Sequence, residues 1–133
     1  MYVYQVANRI LTIRIAGNPG PQERQRLFAT IRGDASVPIG AVLLIDAMDS
    51  TVELPNIAAA VERVKSMMDQ LGPKLMPVCA LLPGQSHSLQ AQLYQRGGES
   101  LGVRIGIFPD EATALGWLAV WAKVGVEDER RRA

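Results

Sequence analysis

Gly102-Val103-Arg104-Ile105-Gly106-Ile107-Phe108, then Pro109-Asp110-Glu111, then the apolar run from Ala112 to Trp121, is the stretch that decides the fold. It reads as a strand, a helix start and a helix, with no room for a long loop. The same strand-then-helix grammar occurs at residues 41–71 and again at 75–101. Repeated units of this kind predict a parallel sheet with crossover helices. Ala41-Val42-Leu43-Leu44-Ile45 is short and continuously apolar, as expected of a central strand covered on both faces.

Working outward, residues 2–6 and 10–16 are rich in β-branched and aromatic side chains, with Asn8-Arg9 between them. Asn tolerates positive φ, so a tight hairpin is predicted. Gly17-Asn18-Pro19-Gly20-Pro21 ends the second strand, and a helix over about 22–32 follows, its stripe made by Leu27, Phe28 and Ile31. Ile57, Ala60, Val61, Val64, Met67, Met68 and Leu71 recur at spacings of three and four and predict the next helix, stopped by Gly72-Pro73. Pro77 predicts a ragged start to the strand at 75–82. Ser86 is a plausible N-cap for a helix running through Leu89, Leu93 and Gly97 to Leu101. Gly97 either faces inward, where two backbones approach closely, or marks the helix end. The expected fold is therefore α/β: a mixed sheet of about five strands, the first antiparallel and the rest parallel, with about four helices. The domain is expected over 1–124. The charged segment 125–133 lacks a core-forming pattern from Glu127 onward and is expected to be disordered.

Composition bounds the function. The chain has 133 residues, of which 48% are hydrophobic and 20% charged, enough for one well-packed domain. Fourteen basic residues against 13 acidic give a net charge of +1, so no long-range field favours nucleic acid or an anionic surface. Cys79 is the sole cysteine, which fits a reducing cytoplasm. The first residues have neither a basic region nor an apolar signal core. No apolar run approaches the roughly 20 residues of a membrane span.

Two stretches carry a family resemblance: Ile10-Leu11-Thr12-Ile13-Arg14-Ile15-Ala16-Gly17, and Val103 to Leu118 with its Phe108-Pro109-Asp110-Glu111-Ala112 and Ala114-Leu115-Gly116-Trp117-Leu118 segments. With the order of elements, they resemble the SpoIIAA-like (STAS-like) superfamily of small stand-alone bacterial proteins, over residues 1 to about 124. The resemblance implies the mixed sheet described above and a partner-binding role. In anti-anti-sigma proteins of this fold, a phosphorylatable Ser lies at the start of the helix after the central strand. The corresponding region here is Asp46-Ala47-Met48-Asp49-Ser50-Thr51-Val52-Glu53-Leu54-Pro55-Asn56. The family's Ser-Ser-Gly is missing, and the phosphoacceptor position falls near Leu54-Pro55, neither of which can take a phosphate.

The candidate site is the segment 46–53, expected as a polar loop at the carboxyl end of the central strand, where ligands usually meet open α/β sheets. Asp46, Asp49, Ser50, Thr51 and Glu53 form the expected partner-facing surface, with Asp49 and Ser50 exposed and Asp46 nearer the sheet. The competing readings are a Mg²⁺ site at Asp46, Asp49 and Glu53, phosphorylation of Ser50 or Thr51, and a Ser50/Glu53 capping box. His87, beside Ser86 and Ser88, lacks an orienting partner and reads as a solvated first-turn residue. Cys79 reads as packing. One Cys and one His cannot build a zinc site. No cofactor, metal or catalytic site is expected. In the last helix Leu115, Leu118 and Ala122 form the natural inward set. Trp117, Val120, Trp121 and Val124 widen the apolar arc and suggest either cover over the sheet edge or a homodimer or partner contact. The leading expectation is a non-catalytic regulatory or protein-interaction module, without nucleic acid or membrane span. The alternative is a small-molecule or lipid-binding protein.

Overall fold

The structure, a computed structural model, describes residues 1–52, 54, 56–83 and 91–132. The elements are β1 (Tyr2–Ala7), β2 (Ile10–Gly17), α1 (Pro21–Arg32), β3 (Ala41–Ser50), α2 (Ile57–Leu71), β4 (Leu75–Leu82), α3 (Ala91–Ser100), β5 (Arg104–Ile107) and α4 (Glu111–Arg132). The five strands lie side by side in chain order, β1 antiparallel to β2 and the rest parallel. Asn8 and Arg9 make the hairpin turn with φ of 54° and 64°. The backbone cost of positive φ at Arg9 is offset by its anchoring, because its Nη2 donates to the Ile39 carbonyl and its own carbonyl accepts from Val42.

Chain order in the sheet has a direct consequence for the layers. Each parallel connection moves one strand in the same direction, and right-handed crossovers then place every connecting helix on one face. Accordingly α1, α2 and α3 share a core with the strand residues Leu11, Ile13, Leu43, Ile45, Cys79, Leu81 and Ile105. The opposite face, with Ile10, Val42, Leu44, Val78, Ala80 and Leu82, is covered by α4 through Ala114, Leu118 and Ala122. The continuously apolar residues 41–45 of β3 thus feed both cores by alternation.

Two details of the sequence reading change. The inward face of α3 is not Leu93–Gly97–Leu101: Leu93 is 47% exposed, and Tyr94 is buried in its place. Gly97 does face inward, where an added Cβ would meet Val61 at 3.1 Å, so α3 passes close to α2 and continues beyond Gly97. The backbone of α4 remains helical to Arg132, into the charged segment expected to lack structure. Residues 126–132 contain neither Gly nor Pro, and Glu and Arg are good helix formers, so nothing in that segment stops the helix. The ragged start of β4 is present: Ala41 pairs with Leu75 and Leu43 with Cys79, so Met76, Pro77 and Val78 stand opposite Val42 alone. Ser86 and Leu89 lie outside the described residues.

Asp34 closes the turn after α1. Its carboxylate accepts from the Ser36 hydroxyl (2.7 Å), the Tyr4 hydroxyl (2.7 Å) and the Ser36 amide (2.9 Å). These bonds, Ser36 foremost, lower its pKa to about 2, while the Tyr4 hydroxyl is raised by the same carboxylate. A carboxyl depressed in the folded state stabilises above its unfolded pKa of about 4, and that contribution is lost as pH falls toward 2. The urea midpoint of Asp34→Ala is therefore expected below wild type above about pH 4, with the gap closing between about pH 4 and pH 2. A gap independent of pH would show that the carboxylate's charge is not what matters.

Candidate functional site

The region expected as a loop is mostly strand. β3 continues past Ile45 to Ser50, outrunning β4, which ends at Leu82 opposite Asp46. Asp46 pairs with Arg14 and Asp49 with Ala16, so Ala47 and Met48 stand opposite Ile15 alone and form a bulge. The Asp46 carboxylate stabilises the bulge by accepting the Met48 amide at 3.1 Å. The sequence lacks a turn signal here, and β2 is long enough to carry the extra pairing. The capping box is likewise absent: α2 starts at Ile57, and its N-cap is Asn56, whose side chain accepts from the Ala59 amide at 2.8 Å.

The candidate residues separate. Asp46 has only 12% of its side chain exposed and meets Arg14 at 2.8 Å; Arg14 also reaches Glu111 at 2.8 Å, tying the first turn of α4 to β2 and β3. The two carboxylates raise the Arg14 pKa, Glu111 contributing most, against an opposing effect of burial. Arg14 and Glu111 are part-exposed, so each pair contributes about 1 kcal/mol or less. Asp46 is thus committed to an ion pair and does not converge with Asp49, which is exposed on the far side of the bulge. Among the described residues, no three His, Cys, Asp or Glu side chains are close enough to hold a metal ion. Ser50 is half-buried rather than exposed; its hydroxyl donates to the Gly17 carbonyl at 3.3 Å and accepts the Val52 amide at 3.2 Å. Thr51 is exposed, and its amide donates to Gly17 at 2.9 Å. Glu53, His87, Ser86 and Ser88 lie outside the described residues. Cys79 is buried, and burial raises its thiol pKa.

Beside the β3 extension lies a partly open cavity of about 100 Å³ between α2 and the carboxyl ends of the strands. Ile15, Ile45, Ala47, Val52, Leu54, Val64, Met67 and Leu81 make most of its wall. Among the described residues, its polar side chains are those of Tyr2, Ser50, Arg63 and Tyr94. Burial raises the Tyr94 pKa, so the phenol remains neutral. Sequence reading located this end of the sheet but missed Tyr2, Arg63, Met67 as cavity wall, and Tyr94. One signal was available: Arg63 lies three residues after Ala60 and four before Met67, on the border of the apolar stripe of α2.

The tryptophans form a ladder over the β5 edge. Phe108 and Trp117 meet at a tilt of 47° with centroids 5.2 Å apart, Trp117 and Trp121 meet edge to face at 6.3 Å, and the Arg104 guanidinium sits 4.7 Å from the Trp121 ring centroid. Gly106 makes the room, since a Cβ there would meet the Phe108 ring at 2.8 Å and Trp117 at 3.2 Å. Both tryptophans are half-buried against the α4-side core, with Leu115 partly buried beside them; Val120 and Val124 remain exposed.

No protein-family model matches the chain, and no curated protein matches it. Among solved structures, the chain is similar to an uncharacterized protein of the DUF3478 family with a SpoIIAA-like fold, from Shewanella loihica PV-4. The TM-score is 0.58 at 19% identity, over 89% of this chain and 92% of that one. The hairpin-led mixed sheet, the three crossover helices on one face and the closing helix on the other agree with that likeness: this chain has a SpoIIAA-like fold.

Proposed function

We propose that the protein is a non-catalytic binding module that takes a small, mainly apolar molecule into the cavity between α2 and the carboxyl ends of β2–β4. The observation that carries this reading is the cavity wall: ten apolar residues surround four polar side chains, and among the described residues no carboxylate, imidazole or thiol lines it. Such a lining can orient a ligand but supplies no base or nucleophile pair. The space suits a short branched chain, since a dry cavity of about 150 Å³ admits a benzene ring. The buried, protonated Cys79 suits a reducing compartment.

The test is a titration with 4-methylpentan-1-ol followed by amide chemical shifts. Amides of Ile45, Ala47 and Val64 are expected to move, and Ala47→Leu, which fills the space from β3, is expected to weaken binding at least about tenfold. Undisturbed cavity amides in the wild type, or equal binding by the variant, would remove the reading.

A second reading, a protein-contact module, is favoured by the ridge beyond the end of β4, where Met48, Asp49 and Thr51 are exposed. Exposed Val120 and Val124 on α4 support self-association as one form of it. Light scattering across a concentration series, on wild type and Trp121→Ala, decides whether that face pairs.

A further inference from the structure

Four arginines of the sheet layers have partners. Arg14 is held by two carboxylates, Arg9 reaches the Ile39 carbonyl, and Arg104 lies on the Trp121 ring. Arg32 on α1 donates to the Gln70 carbonyl at 2.8 Å. Arg63 differs. It lines the cavity from α2, is half-buried, and makes no hydrogen bond or ion pair with any described residue. A guanidinium presents five donors in a planar fork that matches a carboxylate in two parallel hydrogen bonds. Partial burial beside an aliphatic wall strengthens such a pair relative to water.

We infer that the cavity selects a short organic acid, its carboxylate held by Arg63 and its alkyl part by Ile15, Ile45, Val64, Met67 and Leu81. This rests on the cavity reading above and adds the chemical class of the ligand. The size of the space limits the buried part to a short branched chain or a small ring. Among the described residues, the phenols of Tyr2 and Tyr94 and the Ser50 hydroxyl are the other polar groups on the wall, and none of these carries charge that would oppose an anion. Arg63 therefore decides between an acid and its neutral counterpart, while the aliphatic wall binds both.

Two probes of one shape separate these contributions: 4-methylpentanoate and 4-methylpentanamide, titrated at pH 7 with amide shifts as readout. Wild type is expected to bind the acid at least about tenfold more tightly than the amide, the worth of a charge-assisted pair over a neutral one. In Arg63→Met that ratio is expected to fall to near one with amide binding kept, and Arg63→Lys is expected to retain part of the preference. Equal binding of acid and amide by wild type would overturn the inference and leave the cavity reading in place, provided Ala47→Leu still weakens both. So would an unchanged ratio in Arg63→Met. Failure of both probes to move any cavity amide would overturn the two together. Should Arg63→Met not fold, the wild-type ratio and Arg63→Lys decide.

Discussion

Leu118→Ala is expected to lower the unfolding free energy by about 4 kcal/mol, toward the upper end of leucine truncations. Leu118 is fully buried and sits mid-helix between Ala114 and Ala122, against Val42, Leu44, Val78, Ala80 and Leu82. Its i±4 neighbours on α4 are alanines, too small to close over a cavity, while Leu115 and Trp121 at i±3 pack at its flanks, and the strands beneath are fixed by hydrogen bonds on both sides. The site can therefore relax little, and the cavity remains. For a domain with a total stability of about 5–15 kcal/mol the loss is a large fraction. Urea unfolding at neutral pH, read by helical circular dichroism, checks it: a lower midpoint at unchanged slope is expected. A loss under about 1 kcal/mol would mean α4 contributes little to the second core.

Gly98→Ala is expected to cost about 3 kcal/mol, and Gly97→Ala far less, although the two are adjacent on α3. A Cβ at Gly98 would lie 2.6 Å from the Val103 carbonyl oxygen and 3.0 Å from Ile105. That oxygen is main chain at the entry to β5, and the same turn is closed by the Val103 amide donating to the Gly98 carbonyl at 2.8 Å. Neither side can move without breaking the turn. At Gly97 the obstacle is the Val61 side chain at 3.1 Å, which can shift by a few tenths of an ångström. Replacing a helical Gly also recovers up to about 1 kcal/mol of helix propensity, which offsets that strain. Thermal unfolding separates the pair: a fall of about 10 °C is expected for Gly98→Ala and near-wild-type behaviour for Gly97→Ala. Equal shifts would show that helix propensity, not contact with β5, sets the outcome.

How far the sequence carries can be argued from particular segments. Ala41 to Ile45 could be nothing but a doubly covered strand, and the 102–121 stretch left no length for any connection but a tight turn, so the layers were legible. Asp46 to Ser50 misled because polarity was read as a loop, whereas a bulge lets a strand carry polar residues past the edge of its neighbour. Leu93 misled because periodicity offered two faces for α3, and the glycines, which let α3 close against Val61 and Ile105, select the one through Tyr94. The candidate site was half legible. The carboxyl end of the sheet follows from topology. Spacing puts Met67 on the apolar stripe of α2 and Arg63 on its border, but does not say which end of the sheet each one meets.

The strand order, equal to chain order, also shapes how the molecule assembles. Each strand from β3 onward joins its immediate predecessor, so the sheet grows by pairings such as Ile10 with Val42, about thirty residues apart. The return of α4 is the distant step: Arg14 and Glu111 are separated by 97 residues. Loop-closure entropy grows only logarithmically, so this longest closure costs about 1 kcal/mol more than a single crossover. Distance is therefore a minor obstacle to α4. What it must wait for is a surface, because its seat on β2, β3 and β4 exists only once those strands lie together. The helix that seals the second core is in this way the element least able to nucleate folding and, being its main cover, the one on which that core most depends.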